Sequence, residues 1–110
     1  MVDTNLSMVR GDTLAFGLEF EGLEQDLDSA YFTCKANATL SDYVFQKTLE
    51  DGIDKVATGK YRVRVDPVDT STVEAREYYY DLVIGVNDDV FTLLKGVLSI
   101  EQNVTSIPTT

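Results

Sequence analysis

The 110-residue sequence contains no histidine, no tryptophan and one cysteine, Cys34. The missing histidine removes the commonest general base and the commonest transition-metal ligand. One cysteine can form neither an internal disulfide nor a cysteine-based zinc site. Without tryptophan, the chain also lacks a strong aromatic platform for sugars. We therefore expect no enzyme, with no catalytic residues, no cofactor and no metal site.

Positive charge is scarce as well, since 9 Lys and Arg residues face 19 Asp and Glu residues and give a net charge of −10. Nucleic acids and anionic membranes attract cationic surfaces, so neither is a predicted partner. No apolar run approaches the length of a membrane-spanning helix. Residues Met1 to Ser7 lack the basic and apolar segments of a secretory signal, which predicts synthesis in the cytoplasm.

What the sequence does contain is alternation of apolar and polar residues, the pattern of half-buried strands. The predicted strands are Thr13–Glu21, Ala30–Ala36, Tyr43–Leu49, Ile53–Val56, Lys60–Val65, Glu77–Val86 and Val90–Glu101. Short strands at intervals of about ten residues predict an all-β sandwich or barrel. The chain length suits one core, so residues 1–104 are predicted as a single domain and residues 105–110 as a flexible tail.

One short helical turn is predicted near residues 67–76. Asp66 followed by Pro67 is typical of a helix N-terminus, and Ser71 with Glu74 fits a capping box. In immunoglobulin-like domains such a turn often precedes a tyrosine whose hydroxyl binds upstream backbone, and Tyr78 is the candidate. This feature favours an immunoglobulin-like β-sandwich of about seven to eight antiparallel strands over a barrel.

The last strand breaks its own alternation. Phe91 and Leu93 have one parity, whereas Leu98 and Ile100 have the other. An extra residue between the two pairs would keep all four in the core, and Gly96 is the easiest place for such a bulge. The alternative is an unbroken strand that turns Phe91 and Leu93 to the other face. We favour the bulge.

Three residues are candidates for protein contact. Tyr79 points away from the core by parity, and outward tyrosines are common anchors of interfaces. Arg62 and Arg64, together with Lys60, form a basic stripe in an acidic protein, which acidic loops of a neighbour or a second copy could contact. An ordinary exposed tyrosine and a solubilising outer face are the simpler interpretations.

Other motifs favour structural roles. Arg10-Gly11-Asp12 spells a tripeptide that some adhesion proteins present to receptors, but its glycine and aspartate also suit a turn before a strand. Acidic clusters occur at Glu24/Asp26/Asp28, at Asp51/Asp54 and at Asn87/Asp88/Asp89. None has the spacing of a helix-loop-helix calcium site, so solvated loops are the favoured interpretation.

The order of several segments resembles that of small immunoglobulin-like structural proteins of tailed bacteriophages and prophages, similar to the N-terminal domain of baseplate upper proteins. The resemblance spans about residues 5 to 105. The segments that carry it are Met8–Thr13, Ala30–Lys35, Gly59–Tyr61, the Tyr-Tyr-Asp-Leu strand, Thr92–Ile100 and Asn103–Thr105.

This resemblance implies a non-enzymatic virion module of the tail, baseplate or head. Such a module is made in the host cytoplasm and docks onto other virion proteins, onto itself, or onto both. The alternative from another functional class is an immunoglobulin-like adhesion module that binds a receptor or a carbohydrate. Saturable binding to glycans or calcium would favour that alternative.

Overall fold

The computed structural model describes residues 2–23, 25–37, 39 and 42–104. Its strands are β1 (Val2–Asp3), β2 (Leu6–Val9), β3 (Leu14–Glu19), β4 (Ser29–Lys35), β5 (Phe45–Leu49), β6 (Gly52–Ala57), β7 (Lys60–Val65), β8 (Glu77–Val86) and β9 (Asp89–Glu101). One short helix, α1 (Pro67–Thr70), lies between β7 and β8. Within the described ranges no helix is long and apolar enough to cross a membrane. The predicted tail, residues 105–110, lies outside the described residues.

The strands form two facing layers. One layer has the order β9-β8-β4-β5 and the other the order β6-β7-β3. A two-residue parallel pairing of β5 with β6 joins them along one side. Helix α1 sits at the crossing from β7 to β8, which is where immunoglobulin-like sandwiches often carry a turn of helix. The predicted all-β, immunoglobulin-like sandwich is confirmed.

The N-terminal segment adds two strands that the sequence pattern did not predict. Both β1 and β2 pair with β9, and both run parallel to it. Only four residues of β2 take part, with Leu6 opposite Leu98 and Met8 opposite Ile100. A segment this short shows too few alternations to be recognised, because its apolar side is defined only by the neighbouring strand.

Alternating side chains from both layers meet in one core around Phe32 of β4, which is completely buried. Its ring centroid lies 5.5 Å from that of Phe16 in the opposite layer, and 5.7 Å from those of Phe45 and Tyr80. Burying one such side chain stabilises a fold by about 1.5–3 kcal/mol, and tilted ring pairs add to it. Phe32 therefore couples the two layers.

The helix begins as predicted but is shorter. Asp66 is the N-cap, Pro67 is the first helical residue, and the Asp69 carboxylate accepts a 2.7 Å hydrogen bond from the Asp66 amide. The predicted capping box of Ser71 and Glu74 is wrong, because the Ser71 amide donates to the Pro67 carbonyl and so closes the last turn of α1. Only one turn forms.

Tyr78 plays the predicted role at this crossing. Its hydroxyl donates a 2.6 Å hydrogen bond to the carbonyl of Glu74, four residues upstream. The ring is buried, and the Arg76 guanidinium lies 5.3 Å from its centroid. The bond gives a partner to a backbone carbonyl in the segment between α1 and β8, and it fixes the entry of the chain into β8.

A bulge does interrupt β9, but not at Gly96. Leu82 pairs with Leu94, whereas the next residue of β8, Val83, pairs with Thr92. Leu93 is therefore the extra residue, and it lies three positions before the predicted site. The prediction of a bulge is confirmed and its position is wrong.

Gly96 lies instead at a close contact with the N-terminal segment. A Cβ atom at Gly96 would meet the carbonyl oxygen of Thr4, so the N-terminal segment lies directly against this backbone. With the bulge at Leu93, Phe91 is opposite the buried Ile84 and so lies on the core side, but its side chain is still 48% exposed, whereas Leu98 and Ile100 are buried. The expectation that all four apolar residues reach the core is therefore wrong for Phe91.

Lys47 is the unexpected charge of the interior. It shares the inward parity of Phe45 on β5 and is only 7% exposed. Its Nζ lies 2.7 Å from a carboxylate oxygen of Asp69 and 3.9 Å from one of Asp66. A buried ammonium group is tolerated only when it is paired. Helix α1 supplies that partner and is thereby tied to β5.

Candidate protein-binding face

The candidate site is the outer face of the β9-β8-β4-β5 layer, which we call the tyrosine face. It consists of Tyr31, Thr33, Lys35, Tyr43, Gln46, Tyr79, Asp81, Lys95 and Val97. Side chains of a strand point alternately to the two sides of a sheet. On β4 and β8, Phe32, Cys34, Tyr80 and Leu82 fill the core, so the residues between them point outwards.

Three tyrosines share this face and are about half exposed: Tyr43 by 54%, Tyr79 by 51% and Tyr31 by 42%. A tyrosine offers a large, stiff apolar ring and a polar hydroxyl, so it gains much when a partner covers it. Tyrosine is enriched in the centres of protein interfaces for that reason. The face thus has the side chains of a binding surface.

The register places these side chains in rows across the layer. Tyr79 of β8 lies between Lys35 of β4 and Val97 of β9. Asp81, two residues further on, lies between Thr33 and Lys95. Tyr79 is therefore held on a central strand with paired neighbours on both sides, and not on a loop.

A shallow open depression of about 720 Å³ lies over these rows. Gly96 contributes to its lining and offers no side chain to fill it. Gln46 donates a 3.0 Å hydrogen bond from Nε2 to the hydroxyl of Thr33, and the Asn5 side chain accepts a 3.2 Å bond from the Val97 amide. These bonds fix parts of the lining, so the depression is a preformed feature of the sheet.

The charge of the depression differs from that of the whole protein. Its ionisable side chains are two lysines, Lys35 and Lys95, three tyrosines and one carboxylate, Asp81. Partial burial raises the pKa of Asp81 above its ordinary value, and the nearby Lys35 opposes this effect. In a protein of net charge −10, the lining of this depression carries two lysines and one carboxylate. An acidic or uncharged protein surface can approach it without strong repulsion.

The structure does not bring the three predicted contact residues together. Tyr79 lies on the tyrosine face, whereas Arg62 and Arg64 lie on β7, on the outer side of the opposite layer. Arg64 Nε lies 2.7 Å from an Asp66 oxygen, and Arg62 is opposite Asp54 in register. The basic stripe is thus accompanied by carboxylates. Whether these residues contact a partner stays a prediction.

Arg10-Gly11-Asp12 forms a turn, as predicted. The Arg10 guanidinium donates a 3.1 Å hydrogen bond to the Asn103 side chain, and the Gly11 amide donates a 2.9 Å bond to the Thr70 hydroxyl. The turn therefore fastens the start of β3 to helix α1 and to the end of β9. Its arginine is held against the protein, since it also donates a 3.3 Å hydrogen bond to the Val73 carbonyl.

The acidic clusters serve local structure where the chain is described. Asp26 forms a 2.6 Å ion pair with Lys55, and Asp28 accepts a 2.9 Å hydrogen bond from the Asn87 amide. Glu24, the third member of that cluster, lies outside the described residues. Among the described residues, no group of three or more Cys, Asp or Glu side chains is arranged to hold a metal.

Cys34 is buried beneath the tyrosine face, as predicted for a core residue. Burial raises the pKa of its thiol to about 12. Because the thiolate is the nucleophilic form, this cysteine is unreactive at neutral pH.

Sequence reasoning singled out Tyr79 but not the cluster to which it belongs. The parity of β4 already turned Tyr31 outwards, which was a usable signal. The predicted strand Tyr43–Leu49 gave Tyr43 the parity of the buried Phe45, but β5 begins only at Phe45, and Tyr43 is 54% exposed in the lining of the depression. The order of strands in the sheet was the missing information.

Comparison with known proteins finds no matching family model and no significant match among curated proteins. Among solved structures, the chain is similar to the extracellular domain of the voltage-gated sodium channel beta4 subunit, at 13% identity over 93% of both chains and a TM-score of 0.49. It is also similar to the extracellular domain of mouse leukocyte-associated immunoglobulin-like receptor 1, at 12% identity over 96% of this chain and 89% of that one, with a TM-score of 0.44.

Proposed function

We propose that this protein is a non-enzymatic immunoglobulin-like module that binds another protein through the tyrosine face. One observation carries the proposal: three half-exposed tyrosines share the outer face of a continuous four-stranded layer, and two of them, Tyr43 and Tyr79, line its preformed depression. The rigid sheet reduces the conformational entropy that is lost on binding, because the anchoring side chains are already held in position. The small number of charges lowers the cost of removing water from the face.

The setting favoured by the sequence is a bacteriophage or prophage particle, in its tail, baseplate or head. The order of motifs from Met8–Thr13 to Asn103–Thr105 supports this setting. A module of this kind would dock the tyrosine face on a neighbouring virion protein during assembly. The absence of an internal disulfide partner for Cys34 suits a protein assembled in a reducing cytoplasm.

A receptor-binding or adhesion module is the second candidate, and the exposed tyrosines would serve it equally well. In that setting the contact is again the tyrosine face and not Arg10-Gly11-Asp12, whose arginine is bound to Asn103. The chemistry of the face therefore supports a protein ligand in both settings. The two settings differ in the identity of that ligand.

The proposal is tested by placing a photo-crosslinking amino acid at Tyr79 in the source organism or phage, with a matched probe at Arg62 on the opposite face. We expect a defined protein adduct from position 79 and none of the same mass from position 62. A virion protein in the adduct supports the phage setting, and a cell-surface protein supports adhesion. Adducts from position 62 alone would contradict the proposal.

Affinity for the purified partner then gives the second measurement. We expect Tyr79→Ala to weaken binding by about 30-fold, the loss of roughly 2 kcal/mol that is common for a central tyrosine. Arg62→Ala is the control and should leave the affinity within about twofold. Unchanged affinity in Tyr79→Ala, Tyr31→Ala and Tyr43→Ala together would show that this face is not the contact.

A further inference from the structure

Strand β3 (Leu14–Glu19) is the last strand of its layer and has an open edge. It pairs with β7 through six residue pairs, from Leu14 opposite Val65 to Glu19 opposite Lys60. On its other side, no strand pairs with it in the described ranges. The N-terminal strands, which could have covered this edge, pair with β9 instead.

The hydrogen bonds between β3 and β7 show which backbone groups of β3 face the open edge. The Phe20 amide donates a 2.8 Å bond to the Gly59 carbonyl, so position 20 directs its backbone towards the β7 side. In an antiparallel ladder this direction alternates from one residue to the next. Ala15, Gly17 and Glu19 therefore direct their N–H and C=O groups away from the protein.

This edge has little of the protection that edge strands usually carry. Natural edges are blunted by lysine, proline or bulges, which keep other strands away. Here the three outward-bonding positions are Ala15, Gly17 and Glu19, and the pairing with β7 runs without a register shift. Leu14, Phe16 and Leu18 on the core side are only partly buried. A further strand would cover them.

We propose that a second copy of the chain completes this layer, its β3 pairing antiparallel with β3 of the first copy across a two-fold axis at Gly17. In this register Gly17 is opposite Gly17 of the partner subunit, and Ala15 is opposite Glu19 of the partner subunit. It is the register that uses all three outward-bonding residues of both copies. Three pairs exchange about six backbone hydrogen bonds.

Charge complementarity supports the second copy as the occupant. Within one chain Ala15 is opposite Arg64. In the dimer, Glu19 of the partner subunit lies on the other side of Ala15, whose small side chain leaves room for the half-exposed Arg64 to reach it. A register centred on Glu19 would instead place two carboxylates opposite each other, which is destabilising. In the dimer, the basic stripe thus contacts a carboxylate of the partner subunit.

This self-association is independent of the tyrosine face, which lies on the other layer. A dimer formed through β3 leaves both tyrosine faces open, so each copy can still bind its protein partner. Such a dimer would present two binding faces at once, which raises the avidity for a partner that is itself repeated.

The first test uses a proline at an outward-bonding position. Ala15→Pro removes an N–H that the folded chain does not use, and edge strands tolerate proline there. We expect light scattering and sedimentation to show a dimer for the unmodified chain and at least a tenfold weaker dimer for Ala15→Pro. The control Ala15→Ser keeps the N–H and should stay dimeric. A monomer up to millimolar concentration, or a dimer unaffected by Ala15→Pro, would overturn the proposal.

A second test does not depend on the folding of the proline variant. The double variant Ala15→Cys/Glu19→Cys places thiols at positions that pair across the axis, so a short bifunctional maleimide should give covalent dimers. Ala15→Cys alone should give few covalent dimers, because the two thiols at position 15 of the dimer lie several residues apart along the paired strands. Cys34 is buried and does not react. Equal yields from both would contradict the register. Loss of the dimer in Tyr79→Ala would assign the self-association to the tyrosine face and overturn the edge proposal.

Discussion

The two outer faces of the sandwich differ in charge and in exposed aromatic surface, and the sequences of the single strands do not reveal this difference. The β6-β7-β3 layer shows the most conspicuous pattern of the chain, Lys60, Arg62 and Arg64 in alternation. Its charges are accompanied by carboxylates, since Arg64 pairs with Asp66 and Lys60 lies 4.0 Å from Glu19. The tyrosine face has fewer charges and more exposed aromatic surface. A charge pattern on one strand is therefore a weak indicator of a binding face until its neighbours are known.

The largest expected effect comes from breaking the ion pair between Lys47 of β5 and Asp69 of α1. Asp69→Ala leaves the ammonium group of Lys47, which is only 7% exposed, without its 2.7 Å partner. Removing one partner of a buried ion pair costs about 3–5 kcal/mol. Chemical denaturation should therefore show a decrease of that order in the free energy of unfolding. Adding Lys47→Met to Asp69→Ala removes the charge and should restore part of it. A loss below about 1 kcal/mol would show that the pair is solvated.

A smaller effect is expected where the tyrosine face meets the N-terminal segment. In Gly96→Ala the new Cβ meets the Thr4 carbonyl, which also accepts a hydrogen bond from the buried Tyr80. Forcing an extra carbon into such a contact costs about 1–3 kcal/mol. Hydrogen exchange should show reduced protection first in the amides of β1 and β2. Gly22→Ala is the matched control, because Gly22 also has a positive φ but an added Cβ there would meet nothing within 4 Å.

The opposite face should tolerate its own substitutions. Arg64→Ala removes an ion pair whose side chains are 49% and 46% exposed. Exposed pairs contribute about 0–1 kcal/mol, so the free energy of unfolding should change by no more than that. The contrast with Asp69→Ala compares two ion pairs near the same helix that differ in burial. Equal losses in the two variants would contradict the distinction between them.

The finest distinction concerns the pKa of Asp81 on the tyrosine face. Burial raises it above the ordinary value of 3.8, so between that value and the raised one the folded chain holds a proton that the unfolded chain has lost. Acidification through this window therefore stabilises the fold through Asp81. Carbon-detected NMR titration should show the raised pKa, and Lys35→Met should raise it further. A lower pKa in Lys35→Met would be inconsistent with the lysine acting through its charge.

Alternation was a reliable guide where strands were long and one side was buried. It placed Lys60–Val65 with the bounds that the structure shows and chose the buried residues of β4 and β8. Its errors came from contacts distant in sequence. Gly96 was assigned the bulge because glycine tolerates one, but the approach of Thr4 is what requires it.

The candidate site was only partly predictable for the same reason. Parity gave the outward direction of Tyr79, and it also turned Tyr31 to the surface. Nothing within the sequence of β5 indicated that Tyr43 would join them, or that Lys47 would find a carboxylate on α1. Both facts depend on which strands are neighbours.

Local chemistry within the chain was enough to determine an all-β fold, the beginning of α1 at Asp66-Pro67, and the role of Tyr78. These follow from alternation and from backbone groups that find partners within a few residues. Tertiary structure alone decided that β1 and β2 cover β9 and leave β3 open, and that the tyrosines share one face. Strand pairing joins residues far apart in sequence through backbone groups that every residue has, so the side chains of a single strand do not reveal its neighbour.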